Sequence, residues 1–258
     1  MDTKLAKKIA EEAAKEAGSM LMEHFGTDIK KTTKAKSDLV TEVDIQSEKI
    51  IIDAIKKNFP EHSILSEEAG NISGEEQYTW VIDPIDGTIN YSYGAAPFRV
   101  AICLLEDKKP ILSVIYNPIK GHLYIAEKGK GATMNGKSIL VSNNADLKNA
   151  IVMTHLSSKK EARGRTIAVL DDIFSESMHM RMFGSSIAAM TYIATGKFDV
   201  FFSVQTKPWD IVSGALLIEE AGGKVTDIQG GEISLDSNSV LATNGKVHGH
   251  MLELLKNI

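Results

Sequence analysis

A chain of 258 residues, 43% hydrophobic and 24% charged, is long enough to bury one large core or two modest ones, and its composition is neither disordered nor collagen-like. Its 29 basic and 34 acidic residues leave a formal charge of −5, which makes no electrostatic case for nucleic acid or membrane as a partner. Cys103 is the only cysteine and lies in an apolar run, which excludes an internal disulfide and a thiolate metal cluster and suits a reducing, cytoplasmic setting. The N-terminus has no apolar leader and no apolar run approaches a membrane span, so neither secretion nor insertion is expected.

In chain order, Leu5, Ile9, Ala13, Met20, Leu21 and Phe25 recur at roughly helical spacing among lysines and glutamates, predicting an amphipathic helix stopped at Gly26. Four lysines then crowd residues 30–36 without periodicity, as in a solvated loop or a hairpin reaching toward the functional site. Thr41 followed three residues later by Asp44 is a capping box with the acid one carbon short. It opens a helix outlined by Ile45, Ile50, Ile51, Ile52, Ile55 and Phe59. A second reading stands beside the cap, in which Asp44 projects from that first turn toward an anion site and accepts a proton. Pro60-Glu61-His62 breaks the helix, and the short strand Ser63-Ile64-Leu65 delivers Glu67 and Glu68 on a loop. Paired glutamates there are simply solvated or, for Glu67, turned toward a metal.

Trp80-Val81-Ile82 is an apolar run that reads as a buried strand ending at Asp83, because Pro84 has no N–H and holds Asp83 extended. Asp83 and Asp86 then sit at a strand's carboxyl end, where open α/β sheets place their ligands. Two carboxylates so close repel unless a cation lies between them, and Mg²⁺ takes oxygen ligands, to which the turn adds the Ile85 carbonyl. If Gly87 and Thr88 open a helix, their N–H groups make an anion site beside the metal, the arrangement that hydrolytic phosphoryl transfer needs. The same residues also fit a Pro-Asp-Gly turn with an N-cap aspartate.

Residues 97–105, 111–116 and 122–127 run apolar or alternate between turns at Asn117-Pro118 and Asn135-Gly136, which predicts antiparallel meander strands. From about Leu147 the composition resets without a linker, so one domain of 1–258 is expected in two parts, about 1–146 and 147–258, with the site at their junction. A strand over 150–153 and a helix over 159–170 follow. Met178, Met180 and Met182 alternate with His179 and Arg181, giving a strand with one apolar face and one basic face turned toward substrate. Gly184-Ser185-Ser186 opens an apolar helix over 187–195, a second anion-facing N-terminus. After a strand over 198–204, Lys207-Pro208-Trp209-Asp210 starts a helix over 211–221 capped by Gly222-Gly223. Asp210 suits helix electrostatics there and is also one more carboxylate at a strand-to-helix junction. Two short strands and a closing helix over 248–258 complete the chain, with His248 and His250 as surface residues lacking acidic companions.

Taken together, the 38–44 segment, Glu67-Glu68, the stretch from Trp80 to Tyr91, and Trp209-Asp210-Ile211-Val212-Ser213-Gly214 ending in Glu220-Ala221-Gly222-Gly223 resemble the inositol monophosphatase family. The resemblance covers essentially the whole chain. It implies an α/β (α+β) layered αβαβα sandwich of the sugar phosphatase, fructose-1,6-bisphosphatase-like type, two or three Mg²⁺ ions, inhibition by Li⁺, and a homodimer. It also implies Glu67, Asp83, Asp86, Asp210 and the Ile85 carbonyl as metal ligands, Gly87 and Thr88 as the phosphate-binding turn, and Thr88 with Asp44 as the pair that orders and deprotonates the attacking water. In the animal enzymes of the family a glutamate seven residues before the Trp-Asp aspartate touches inositol hydroxyls; Ser203 stands there in this chain. Arg181, Gly184, Ser185, Ser186 and Lys207 look more like the microbial branch, and with Ser203 they are the implied substrate contacts.

The activity so implied is hydrolysis of a small phosphomonoester, inositol 1-phosphate, with neither nucleic acid nor membrane as partner. Cys103 is misplaced and no serine has a paired histidine, so water is expected to attack directly. The alternatives are fructose 1,6-bisphosphate, whose second phosphate a basic Arg181 or Lys207 would suit, histidinol phosphate, and 3′-phosphoadenosine 5′-phosphate. Outside catalysis stands a metal-dependent inositol phosphate binder, for which Asp44 and Thr88 would be unnecessary.

Overall fold

Helix α1 (Thr3–His24) forms where the apolar spacing predicts it, and the computed structural model, which describes residues 2–29, 31–35 and 38–256, shows what starts and packs it. Asp2 caps it by accepting from the Lys4 and Leu5 amides at 3.0 and 3.1 Å. Its buried face is made of Ala6, Ala10, Ala13, Ala14, Ala17, Gly18 and Leu21, residues small enough for the helix to lie close on a sheet. A Cβ on Gly18 would meet the Tyr116 ring at 2.5 Å. Next, β1 (Lys31–Ala35) and β2 (Asp38–Thr41) pair antiparallel, so the lysine-rich segment is a hairpin, with Lys30, Lys36 and Ser37 outside the described residues. In α2 (Glu42–Asn58) the expected capping box closes the N-terminus, because the shorter Asp44 side chain still reaches the Thr41 amide at 2.8 Å.

An eight-stranded sheet follows from β3 (His62–Ser66), β4 (Gly70–Ile72), β5 (Glu75–Asp86), β6 (Arg99–Glu106), β7 (Lys109–Asn117), β8 (His122–Glu127), β9 (Ala132–Met134) and β10 (Lys137–Ser138), with the short helix α3 (Thr88–Ser92) leaving β5. Its order is β10-β9-β8-β7-β6-β5-β3-β4, and all its pairs are antiparallel except β3 with β5. The second part of the chain holds β11 (Ile151–Thr154), α4 (Lys160–Glu176), β12 (His179–Arg181), α5 (Ser186–Ala194), β13 (Val200–Ser203), α6 (Val212–Glu220), β14 (Lys224–Thr226), β15 (Val240–Thr243) and α7 (His248–Leu255). Its sheet runs β12-β11-β13-β15-β14, parallel around β11 and antiparallel beyond β13.

Period-two alternation turns these sheets into layers. Trp80, Ile82, Val100, Ile102 and Leu104 face α1 and α2, while Val81, Ala101, Cys103 and Leu105 face the opposite way, onto α5 and α6. The far side of α5 and α6 packs on Met153, Phe201, Val240 and Ala242 of the five-stranded sheet, whose other face, Val152, Val200, Phe202 and Leu241, is covered by α4 and α7. The layer order is therefore helices, sheet, helices, sheet, helices, the αβαβα sandwich expected. Among the described residues no helix is long and apolar enough to cross a membrane.

Five local expectations are corrected. Strand β5 does not stop at Asp83; its register with β6 shifts between Asp83 and Asp86 and pairing resumes at Asp86 with Arg99. A bulge absorbs the missing Pro84 N–H, so proline interrupts the ladder without ending it. Helix α4 runs to Glu176 because Val169 and Ile173 continue its buried stripe. Met178 and Met182 are 58% and 49% exposed, since they flank β12, a three-residue strand at the edge of its sheet. His248 is buried, with its two ring nitrogens 3.1 and 2.9 Å from the hydroxyls of Thr226 and Thr243, and burial pushes its imidazole down to about 4. His250 does have an acidic companion, the Glu176 carboxylate 2.7 Å away.

Candidate active site

At the seam between the two sheets lies a cavity of about 290 Å³. Glu67 reaches it from the turn after β3, Asp86 to Asn90 from the turn after β5, Gly184 to Ser186 from the start of α5, and Asp210 and His155 from the loops of the second sheet. The β5 turn is the most constrained of these pieces. Gly87 sits at φ +95, and a Cβ there would lie 2.9 Å from the Pro97 carbonyl, so only glycine lets the chain turn this closely. Asn90 ties the same turn down, donating to the carbonyls of Pro97 and Phe183 at 2.8 and 2.7 Å.

Thr88 sits at the junction of three segments. Its hydroxyl lies 3.0 Å from Asp44 Oδ1 and 2.9 Å from the Ile85 carbonyl. Asp44 Oδ2 meanwhile accepts from the Thr41 amide and hydroxyl at 2.8 and 2.5 Å. Asp44 therefore makes two contacts at once, one oxygen capping α2 and the other meeting Thr88, and the side chain is fully buried. Glu67 is delivered by a turn that a buried residue of α2 clamps, since Glu48 Oε1 accepts from the Glu68 and Ala69 amides at 3.0 Å and from the Ser66 hydroxyl.

Asp86 answers the question of the second anion-facing helix end. The N-terminus of α5 is satisfied from within, because Asp86 accepts from the Ser186 amide at 2.9 Å, the Ala188 amide at 3.2 Å and the Ser185 hydroxyl. Ser185 and Ser186 thus reach the cavity wall with these donors turned to Asp86. Burial pushes Asp86 up to about 7, opposed by the Ser185 bond and reinforced by the Asp210 charge. Behind it the buried Arg99 donates to the Phe98 carbonyl at 2.7 Å, while its Nε has no partner among the described residues.

Asp83, with Oδ1 accepting from the Ile85 amide at 3.1 Å, lies well above the usual carboxylate range, first through burial and then through the charges of Glu67, Asp86, Asp210 and Asp44. Burial likewise raises Asp210, whose Oδ2 accepts from the Lys207 amide at 2.9 Å and the Thr206 hydroxyl at 3.1 Å. Among the described residues no group of three or more His, Cys, Asp or Glu is arranged to hold a metal ion as it stands. The charge pattern is the weightier observation for a cation: carboxylates that raise one another's affinity for a proton raise it for Mg²⁺ by the same Coulomb term, and an all-oxygen donor set suits that ion. The residues fit the metal in chemistry, and ligation would require them to draw together.

Three expected contacts stand elsewhere. Arg181 is not on the cavity wall and donates to the Met180 carbonyl at 2.8 Å on the edge strand. Lys207 is exposed, with Nζ 5.9 Å from the Trp209 ring, and serves the site through its backbone amide. Ser203 is sealed behind His155, its Oγ 2.9 Å from Nε2. A serine paired with a histidine does therefore exist, contrary to the sequence expectation, but Ser203 donates its proton to the Gln205 carbonyl at 2.7 Å and has no access to substrate. His155, Glu48 and Arg99 escaped the sequence reading; none carries a local motif, and the side chains of Glu48 and His155 act through partners 18 or more and 48 or more residues away.

A layered sandwich with carboxylates, a Gly-Thr turn and a threonine–aspartate pair at its seam defines a phosphatase of the sugar-phosphatase type. The model of the inositol monophosphatase family matches residues 2–258, and the chain belongs to that family. It is 34% identical to the Nus factor SuhB of Escherichia coli strain K12 over 253 residues, covering 96% of this chain and 95% of that one. Among solved structures, extragenic suppressor protein suhB of Bartonella henselae superposes with a TM-score of 0.92 at 32% identity, covering 96% and 97% of the two chains. The IMPase of Thermotoga maritima gives 0.89 at 32%, covering 100% and 98%. An IMPase/NADP phosphatase, 26% identical with a TM-score of 0.83 and covering 95% and 92%, was solved with Mg²⁺ and phosphate.

Proposed function

We propose that the protein is a Mg²⁺-dependent phosphomonoesterase acting on inositol 1-phosphate, by direct attack of water. The observation that carries this reading is the Thr88 hydroxyl held against buried Asp44 beside Asp83 and Asp86. Glu67, Asp83, Asp86, Asp210 and the Ile85 carbonyl would hold two or three Mg²⁺. Bound there, the ions supply positive charge that offsets the charge gathering on the transferred phosphoryl group.

The chain's own residues do the rest. Donating to Asp44, the Thr88 hydroxyl turns a lone pair toward the attacking water. As the water oxygen bonds to phosphorus, its proton passes to Thr88 Oγ1 while the threonine proton passes to Asp44, and the phosphorus–alkoxide bond breaks, the departing alkoxide taking a proton from solvent water. The first amides of α3, which have no intrahelical partner, receive the phosphate oxygens. The bisphosphate alternative draws no support from Arg181 or Lys207, neither of which lines the cavity. We further read residues 1–146 and 147–258 as two parts of one catalytic domain, acting as a homodimer in a reducing cytoplasm and inhibited by Li⁺.

The test is phosphate release from inositol 1-phosphate, fructose 1,6-bisphosphate, histidinol phosphate and 3′-phosphoadenosine 5′-phosphate, each with Mg²⁺ and with EDTA. Mg²⁺-dependent release with inositol 1-phosphate preferred is expected. Release from none of the four would leave the non-catalytic reading, a metal-dependent inositol phosphate binder, in its place.

A further inference from the structure

His155 enters the cavity beside Leu156, at the end of β11. Its hydrogen bonds fix which ring nitrogen carries the proton. Ser203 Oγ stands 2.7 Å from the Gln205 carbonyl, which can only accept, so the serine proton points there. The His155 Nε2, 2.9 Å from the same Oγ and 3.4 Å from the same carbonyl, must then be the donor, since a lone pair at that nitrogen would face two acceptors. The neutral ring therefore carries its lone pair on Nδ1. That atom has no hydrogen-bond partner among the described residues, on a ring that lines the cavity.

We infer that His155, locked by Ser203 and the Gln205 carbonyl as the Nε2–H tautomer, is a specificity-determining residue whose Nδ1 accepts a hydrogen bond from a hydroxyl of the leaving alcohol. The assignment rests on the phosphatase reading above and narrows its substrates to phosphate esters of polyhydroxylated alcohols. A ring held this way discriminates because a substrate without the hydroxyl leaves the nitrogen desolvated and unmatched. Ser203 is a positioning residue: it touches no substrate and acts by denying Nε2 the lone pair.

The experiment compares two esters that share a six-membered ring and differ in hydroxyls, inositol 1-phosphate and cyclohexyl phosphate. The readout is the ratio of their kcat/KM values, with Mg²⁺ present. His155→Ala is expected to lower that ratio about tenfold, chiefly through the KM of inositol 1-phosphate, the scale of one lost neutral hydrogen bond. His155→Gln, which can return an acceptor oxygen to the cavity, restores part of the ratio, and Ser203→Ala lowers it about threefold by freeing the tautomer. Equal proportional losses on both esters would overturn the assignment, because they would mean that His155 only supports the neighbouring Asp210 loop. An unchanged ratio in all three folded variants would overturn it too. Failure of the phosphatase reading looks different, since the unaltered protein would then release phosphate from neither ester.

Discussion

Two turns bring an aspartate to the cavity, and they are held in opposite ways. Asp86 is anchored by donors 99, 100 and 102 residues away at the start of α5, so its carboxylate bolts the first sheet to the helical layer between the sheets. Asp210 is anchored by the Lys207 amide and the Thr206 hydroxyl, three and four residues away, and its turn holds its own shape. The same side chain at the same kind of strand end is thus a tertiary fastener in one place and a local cap in the other. What differs is whether a helix N-terminus from the other half points at it, and the macrodipole of α5 makes that pairing favourable.

Substitutions on each side can break or sharpen this contrast. The largest effect belongs to Asp83, which feels the charge of both Asp86 and Asp210. Asp83→Asn should lower Mg²⁺-dependent phosphate release by about 10³-fold while raising the melting temperature measured in EDTA, because it removes a buried carboxylate that repels its neighbours. A melting temperature that falls in EDTA would contradict the repulsion. Next comes Thr88→Val, isosteric but without the hydroxyl that meets Asp44; a loss of ~10²-fold in kcat with little change in KM is expected from steady-state kinetics.

The two anchors can then be set directly against each other by urea denaturation. Ser185→Ala removes both the α5 cap and a partner of Asp86 and should cost about 1–2 kcal/mol, whereas Thr206→Ala removes one local bond and should cost about 0.5–1 kcal/mol. Equal costs would erase the distinction between the turns. The smallest effect lies away from the cavity. His248 is held at about 4 in the fold against an ordinary 6.5, so below 6.5 the unfolded chain binds a proton that the folded one refuses. Stability is therefore lost as pH falls from 6.5 to 4, with a slope of at most ~1.4 kcal/mol per pH unit, and His248→Gln should flatten that stretch of the urea-midpoint profile.

What could be read without coordinates was whatever is written within a few neighbouring residues. The cap of α2 is three residues of local geometry, the β5 turn is a proline, two aspartates and a glycine in close succession, and the apolar runs of β5 to β8 with turns between them need no partner to be visible. Even Pro84 was readable as a disturbance, though not as a bulge, because the strand it interrupts is held by β6 on the far side.

The sequence by itself determined the carboxylate turns and the glycine that lets one of them close, since allowed dihedral angles and the order of neighbouring residues are properties of the chain alone, while the layer order was expected only through the family resemblance. Only the tertiary structure decided that Asp86 would fill the end of α5, that Glu48 would clamp the turn carrying Glu67, and that Ser203 would hold His155 in one tautomer. Those decisions came from packing two sheets across a shared helical layer, which sets side chains against partners that no stretch of neighbouring sequence contains.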